Sequence, residues 1–254
     1  MNTRIILCGA CGKMGGNVLS LLEGDVEATA VCGVDLFPKE IGIPVYKSFA
    51  DVKEQADVII DFSSAENLKE RLDYAKANKL GIVLASTGFS PADLAMIDEY
   101  AKEIAIFKTA NLSLGVNLMQ ALIKMTAEVL GDAYDVEIIE RHHNLKKDAP
   151  SGTALMLADS VNEAFDGKKH YVDGRTGICG AREKSEIGMH AVRGGTIVGE
   201  HEVMFAGEDE IITITHSARS KRVFASGAIR ASKFLHGKGA GKYEMKDLLA
   251  EENN

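Results

Sequence analysis

The sequence predicts an α/β protein in two parts: a doubly wound parallel sheet, then an α+β part with a mixed or antiparallel sheet. The first hundred residues alternate short runs that are apolar on both faces with stretches of helical spacing. Buried parallel strands and their crossover helices read this way. Two later runs, "GTIVGEHEVMFA" (195–206) and "DEIITITHSA" (209–218), look like antiparallel strands meeting at Gly207-Glu208. At 254 residues the chain is long enough for two modest domains with buried cores.

Taken in order, "RIILCG" (4–9), "ATAVCGVD" (28–35), "ADVIIDFS" (56–63) and "LGIVLAST" (80–87) are the strand candidates of the first part. Between them "KMGGNVLSLLE" (13–23) and "ENLKERLDYAKAN" (66–78) have helical spacing. "SPADLAMIDEYAKEI" (90–104) begins a helix cleanly, with Ser90 as N-cap, Pro91 at the first helical position and Asp93 in the first turn. A long helix is predicted over 113–130. It is followed by the alternating strand "YDVEIIERHH" (134–143) and a helix opening near Ser151 and running to about Phe165. "SGAIRASKFLHG" (226–237) is helical again, and the tail "LLAEENN" (248–254) is predicted to fray.

Composition narrows the function. The net charge is 29 − 37 = −8, which argues against a nucleic-acid or anionic-membrane surface. An anionic ligand must therefore find its positive charge locally. The apolar region 112–130 is broken by Asn117, Gln120, Lys124 and Glu128, so it does not read as a membrane span. Cys8, Cys11, Cys32 and Cys179 match no disulfide framework or zinc ribbon. With no leader pattern at the start, they predict a reducing cytoplasm.

"GACGKMG" places Gly9, Gly12 and Gly15 between the first strand and the first helix. One glycine permits the tight turn, one lets backbone approach a pyrophosphate, and one lets helix pack closely on strand. The helix start then offers N–H groups and a positive dipole end to phosphates. The spacing is G-x-x-G-x-x-G, and its place at the first β–α junction gives it meaning. Asp35 ends the second strand, 20 residues after Gly15. A carboxylate there accepts hydrogen bonds from the adenosine ribose hydroxyls and repels a 2′-phosphate, so NADH is preferred over NADPH. Lys39 nearby softens that preference. "STGF" (86–89) and "TANLSLG" (109–115) end two further strands on the same edge, where an open α/β sheet holds its ligand.

The densest chemistry lies in "ERHHNLKKDAPSGTA" (140–154). Neighbours on a strand face opposite ways, so His142 and His143 cannot both aim at one metal, and no further ligand stands nearby. Acid–base or anion-binding roles suit them better, with Lys146 or Lys147 available to hold a carboxylate. Pro150 stiffens the approach to a helix start at Ser151, where Gly152 and Thr153 offer backbone N–H groups to an anion. Lysine, histidine and a helix start together make a cradle for a small dicarboxylate. The bland alternative is a solvated basic loop above an ordinary helix cap.

The chain resembles the 4-hydroxy-tetrahydrodipicolinate reductase family, the dihydrodipicolinate reductases of lysine and diaminopimelate biosynthesis. The resemblance covers essentially the whole length. It rests on "GACGKMG", "IDFSSAE", "STGF", "ANLSLGVN", "ERHHNLKKDAPSGTA", "VGEHEVMF" and "FASGAIRASKFL". It implies a Rossmann-type dinucleotide-binding domain formed by 1–112 and completed by 223–254, with a substrate-binding and oligomerisation domain at 113–222. It also implies His142 as proton donor and acceptor, Lys146 as a second catalytic proton donor, and His143, Gly152 and Thr153 as carboxylate binders. The nicotinamide cofactor would touch the turn of Gly9, Ala10, Cys11, Gly12, Lys13 and Met14, then Asp35, then Ala85, Ser86 and Thr87, then Thr109, Ala110, Asn111 and Leu112. The implied assembly is a homotetramer built through the substrate-domain sheets. Many relatives carry arginine where this chain has Asn144, and usually arginine where it has Lys221, although Arg219 and Arg222 flank that position.

The implied reaction is the NAD(P)H-dependent reduction of 4-hydroxy-tetrahydrodipicolinate, or its dehydrated form, to tetrahydrodipicolinate. The chief rival is an NAD-dependent amino-acid dehydrogenase of related fold, of diaminopentanoate or aspartate type; the intact "HHNLKKDAPSGTA" argues against it. An NAD(H)-sensing protein without chemistry would not need His142 and Lys146.

Overall fold

A computed structural model describes residues 2–252, and the chain forms two compact units. The first takes the chain through Ser113 and resumes at Lys221; the second is Leu114–Ser220.

The first unit opens with β1 (Thr3–Cys8), α1 (Lys13–Leu22), β2 (Ala28–Val34), the short β3 (Val45–Tyr46) and β4 (Val58–Asp61). It continues with α2 (Leu68–Asn78), β5 (Gly81–Leu84), α3 (Pro91–Tyr100) and β6 (Ala105–Lys108). Every residue of β4 and β5 is buried, as expected of strands covered on both faces. Leu68, Leu72 and Ala75 of α2 and Ile97 of α3 pack on Ile6, Ile59, Ile82 and Ile106 of the strands. The α3 start is a capping box: Ser90 Oγ accepts the Asp93 N–H while the Asp93 carboxylate accepts the Ser90 N–H.

The second unit begins with α4 (Leu114–Leu130), β7 (Asp135–His142) and α5 (Gly152–Glu163). It ends with β8 (His170–Asp173), β9 (Glu186–Arg193), β10 (Gly199–Ala206) and β11 (Ile211–Ala218). Its sheet has the order β11-β10-β7-β9-β8. β10 runs antiparallel to both β7 and β11, whereas β9 is parallel to β7 and β8, so the sheet is mixed. α4 and α5 cover one face, burying Ile123, Leu157 and Val161 against Val136, Ile138, Ile187, Met189, Val203 and Phe205. Burial along β7 alternates strictly, so Val136, Ile138, Glu140 and His142 share the inner face. The row starts apolar and ends polar.

The chain then returns to the first unit with α6 (Arg222–Leu235), β12 (Gly241–Tyr243) and α7 (Met245–Glu252). The completed parallel sheet reads β12-β6-β5-β4-β1-β2-β3. Its strand order reverses at β1, between β2 and β4, and there a doubly wound sheet opens the crevice that takes ligands.

Three expectations need correction. β10 starts only at Gly199: residues 195–196 form a turn, with Gly195 at φ +49°, and 197–198 lie outside any strand. The tail does not fray at 248–252: α7 is held by the buried Met245 and Leu248, while 253–254 lie outside the described residues. Finally, β8 and β9 were not anticipated. β8 is an edge strand with exposed ends, and neither shows the apolar run that marked the first unit.

The turns above the first sheet depend on a buried pair. Asp61 ends the apolar run of β4 at 0% exposure, and Arg71 of α2 lies against it, Nε to Oδ2 2.9 Å, as an ion pair rather than an aligned hydrogen bond. Arg71 also donates to the carbonyls of Ser64 and Glu66, and Asp61 accepts from the Ser63 backbone and hydroxyl. Removing one partner leaves an uncompensated buried charge. Arg71→Met is therefore expected to lower the unfolding free energy by about 3–5 kcal/mol, with Asp61→Asn in the same chain recovering part of it. Calorimetry of the two variants checks this, and a loss below about 1 kcal/mol would count against the pair's structural role.

Candidate active site

Gly9 follows β1 directly and holds φ +72°, and a Cβ there would sit 2.9 Å from the Phe62 carbonyl oxygen. Only glycine meets both demands. The turn closes by a Gly12 N–H to Gly9 carbonyl bond of 3.1 Å, and a Cβ at Gly15 would overlap the Ala10 carbonyl oxygen. Backbone thus packs on backbone through 9–15, putting Ala10, Cys11, Lys13 and Met14 on one short wrap into α1. No side chain caps α1 at Gly12. Its first N–H groups and dipole are left to an anion.

Asp35 follows β2. Its Oδ2 accepts the Cys11 N–H at 2.9 Å and its Oδ1 the Phe37 N–H at 3.0 Å. A carboxylate has about four lone-pair sites, so two remain for hydroxyl donors. They open on a cavity of about 290 Å³ lined by Gly9, Asp35, Phe37, Lys47, Glu66 and Glu70 among others. Leu36 and Phe37 are exposed at its rim. Ala85 follows β5 and donates to the Asp61 carbonyl, with Ser86 and Thr87 next in line. After β6, Thr109 Oγ1 bonds the Asn111 backbone, and the buried Asn111 side chain accepts the Ser113 N–H at 2.8 Å. The predicted cofactor residues all follow strands of one sheet, at their carboxyl ends. The uncapped helix start, the Gly9 cradle and the Asp35 carboxylate fit a dinucleotide.

The second unit presents the other group. His142 ends β7, and its Nδ1 donates to Glu140 Oε2 at 2.6 Å. Glu140 is 1% exposed; it also accepts both Arg193 Nη atoms at 2.7 Å and the Ser151 N–H at 3.0 Å. Burial pushes its carboxyl up, but the bonds from Arg193 and His142 outweigh burial and hold it below the ordinary carboxylate range. Because an ionised carboxylate only accepts, the imidazole nitrogen facing it carries hydrogen. The second nitrogen, Nε2, faces Gly199, where a Cβ would stand 3.1 Å away.

Ser151 is the N-cap of α5, its Oγ accepting the Ala154 N–H at 3.2 Å. The same Oγ lies 3.0 Å from His201 Nε2. Nothing stands within 4 Å of where a Cβ at Gly152 would be, so a carboxylate can approach the backbone there, with Thr153 next in line. His143 is half-buried, and its Nδ1 is enclosed without a partner among the described residues. Lys146 Nζ is ion-paired to Asp148 Oδ2 at 2.9 Å, with Asp148 largely exposed. Arg193 holds the Asp148 carbonyl as well as Glu140.

The predicted residues therefore fall into two groups: the cofactor set in the first unit and His142, His143, Lys146, Gly152 and Thr153 in the second. Glu140, Arg193 and His201 did not emerge from the sequence. Glu140 had a signal, since an acid two residues before His142 on an alternating strand must share its face. Arg193 and His201 come from β9 and β10, 53 and 61 positions from Glu140, and had none.

Residues 3–112 match the family model for the dihydrodipicolinate reductase N-terminus, and residues 115–249 that for its C-terminus. The 4-hydroxy-tetrahydrodipicolinate reductase of Caldanaerobacter subterraneus subsp. tengcongensis is 49% identical, covering 98% of this chain and 99% of its own length. That of Clostridium novyi is 43% identical over 99% of this chain and 100% of its own. The solved dipicolinate-bound dihydrodipicolinate reductase from Paenisporosarcina sp. TG-14 shares the fold. Its TM-score is 0.78 at 24% identity, covering 96% of this chain and 98% of that one.

His201 offers a test of this buried cluster. Burial, followed by the neighbouring His142, pushes its imidazole down to about 4. The folded ring thus stays neutral while an unfolded one protonates near its ordinary value of about 6.5. The stability this contributes is fully present above about pH 6.5 and is lost as pH falls toward about 4. Between about pH 7.5 and about pH 5 the wild type should lose about 2 kcal/mol from this ring, and His201→Gln should remove that part of the slope. Urea unfolding at the two pH values measures it; identical slopes would refute the buried neutral ring.

Proposed function

The chain belongs to the dihydrodipicolinate reductase family, and from that premise we propose how its own residues perform the NAD(P)H-dependent reduction of 4-hydroxy-tetrahydrodipicolinate, or its dehydrated form, to tetrahydrodipicolinate. The step belongs to lysine and diaminopimelate biosynthesis. The observation that carries the assignment of roles is the buried Glu140–His142 pair beside the α5 start.

The cofactor supplies a hydride when bound. The α1 start and the 9–14 turn hold its pyrophosphate, and Asp35 takes the ribose hydroxyls with its remaining lone pairs. NADH is the preferred form. Asp35, Glu66 and Glu70 line the cavity against Lys47, with Arg71 already given to Asp61, so a 2′-phosphate meets net negative charge. The 85–87 and 109–112 turns bound the same edge of the sheet.

His143, Gly152 and Thr153 grip the substrate's carboxylates, using the α5 dipole and the uncrowded backbone at Gly152. Reduction of the ring leaves negative charge on a conjugated nitrogen–carbon system. His142, in the form that carries hydrogen on both ring nitrogens, gives its Nε2 proton there as the charge develops and is left as the neutral ring with hydrogen on Nδ1, facing Glu140. Lys146 is the second donor. Its ion pair with the exposed Asp148 contributes little stability, so an incoming anionic ring competes for the ammonium.

The assembly is a homotetramer in the cytoplasm, with resemblance to the family as the support for both. No helix among the described residues is long and apolar enough to cross a membrane. An NAD-dependent amino-acid dehydrogenase, the earlier rival, is set aside by the 49% identity to a named reductase.

His142→Gln is expected to lower kcat by ~10²–10⁴-fold while leaving NADH affinity almost unchanged. Steady-state assay with freshly generated substrate checks it, and a variant of wild-type turnover would remove His142 from the reaction. Asp35→Ala is expected to weaken NADH by roughly 10–100-fold and NADPH by less. Titration with each nucleotide decides, and equal losses would refute the ribose assignment.

A further inference from the structure

Glu140 carries more contacts than burial requires. Arg193 neutralises it with two bonds of 2.7 Å, and the Ser151 N–H adds a third at 3.0 Å. Those partners alone would satisfy a structural carboxylate. The fourth donor, His142 Nδ1 at 2.6 Å, is the ring to which the proton step is assigned. Each contact fixes a different part: Arg193 also grips the Asp148 carbonyl in the Lys146 loop, Ser151 begins α5, and His142 ends β7. On the far side of the ring, Nε2 faces Gly199, and a Cβ there would stand 3.1 Å from it, so only glycine leaves that nitrogen room.

Resting on the assignment of His142 above, we infer that Glu140 is a positioning residue for the reduction: its carboxylate fixes His142 as the Nδ1–H tautomer with Nε2 as the proton-transferring nitrogen, and it sets the α5 start in the same frame. An ionised carboxylate accepts and never donates, so it excludes the neutral tautomer that would turn a bare Nδ1 toward it and leave the hydrogen on Nε2. The proton donor and the carboxylate-binding turn are then held to one group of atoms, and moving one moves the other.

Full-length wild type, Glu140→Gln, His142→Gln and the double variant test this. Glutamine keeps the size but has one acceptor oxygen for four donors, and its amide can donate to Nδ1. Glu140→Gln should lower kcat by about 10²-fold or more, since the acid–base contribution it supports is ~10²–10⁴-fold. Its KM for NADH should stay within about twofold, whereas affinity for dipicolinate should fall as the α5 start loosens. In the His142→Gln background the same change should cost kcat less than about threefold, because the effect passes through the ring. In ¹⁵N spectra the neutral His142 ring should carry hydrogen on Nδ1 in the wild type and shift toward Nε2–H in Glu140→Gln.

Wild-type kcat in Glu140→Gln, or equal losses in both backgrounds, overturns the positioning role. Full activity in His142→Gln instead overturns the proton assignment, so the two failures are told apart. If Glu140→Gln does not fold by circular dichroism, the wild-type spectrum decides: an Nε2–H ring overturns the inference and an Nδ1–H ring supports it.

Discussion

Glu140 carries a negative charge into the inner face of the second sheet, and the loops of that unit are arranged around satisfying it. Four N–H donors from β7, β9 and the α5 start converge on two oxygens. Removing one partner of such a set costs about 3–5 kcal/mol, while replacing the whole set with apolar groups is often neutral. Stability is thus a weak reason for keeping it. Geometry is a better one: Val136 and Ile138 set β7's inner row against α4 and α5, and Glu140 and His142 continue that row into polar territory without changing its register.

The first unit solves a similar problem with other residues. The buried run of β4 ends at Asp61, and Arg71 answers it while holding the Ser64 and Glu66 carbonyls. Gly9 then packs on the Phe62 carbonyl, so the glycine turn after β1 rests on a loop that the ion pair has already shaped. In both units an apolar strand hands over to a carboxylate at its carboxyl end. Apolar contacts place the strand, and the directional bonds of the carboxylate aim the loop. A side chain held in this way before a ligand arrives loses less entropy on binding.

The sequence was legible where local physics and tertiary structure agree. Runs such as "VIID" and "GIVL" have few alternatives to buried parallel strands, and Ser90-Pro91 with Asp93 starts a helix on local bonds alone. The α5 start was legible for the same reason. β8 and β9 were not: "HYVD" and "EIGMHAVR" mix polar and apolar residues because one is an edge strand and the other pairs with it in parallel. α7 was misjudged because its buried residues among those described are Met245 and Leu248, a stripe too short to stand out beside an acidic end. His142 was found by its motif. Its partner Arg193 joins it only through a sheet pairing 51 residues away, and no local pattern predicts that meeting.

The same logic explains how a chain of net charge −8 handles anions. Several of its cations are already committed inside the protein. Arg71 is bound to Asp61, Arg193 to Glu140, Lys169 to Asp132, and Arg175 and Arg182 to Glu137, whose carboxyl is pushed up by burial but pulled further down, to about 2, by Arg175, His190 and Arg182. Beside cations such as Lys47 at the first unit's cavity, positive potential comes from the starts of α1 and α5, each opening at a glycine or beside one. A helix start carries roughly half a charge and decays within a turn, so it attracts an anion only at contact. A surface of free lysines would attract every polyanion in reach. A helix start instead rewards an anion only where it reaches the backbone itself.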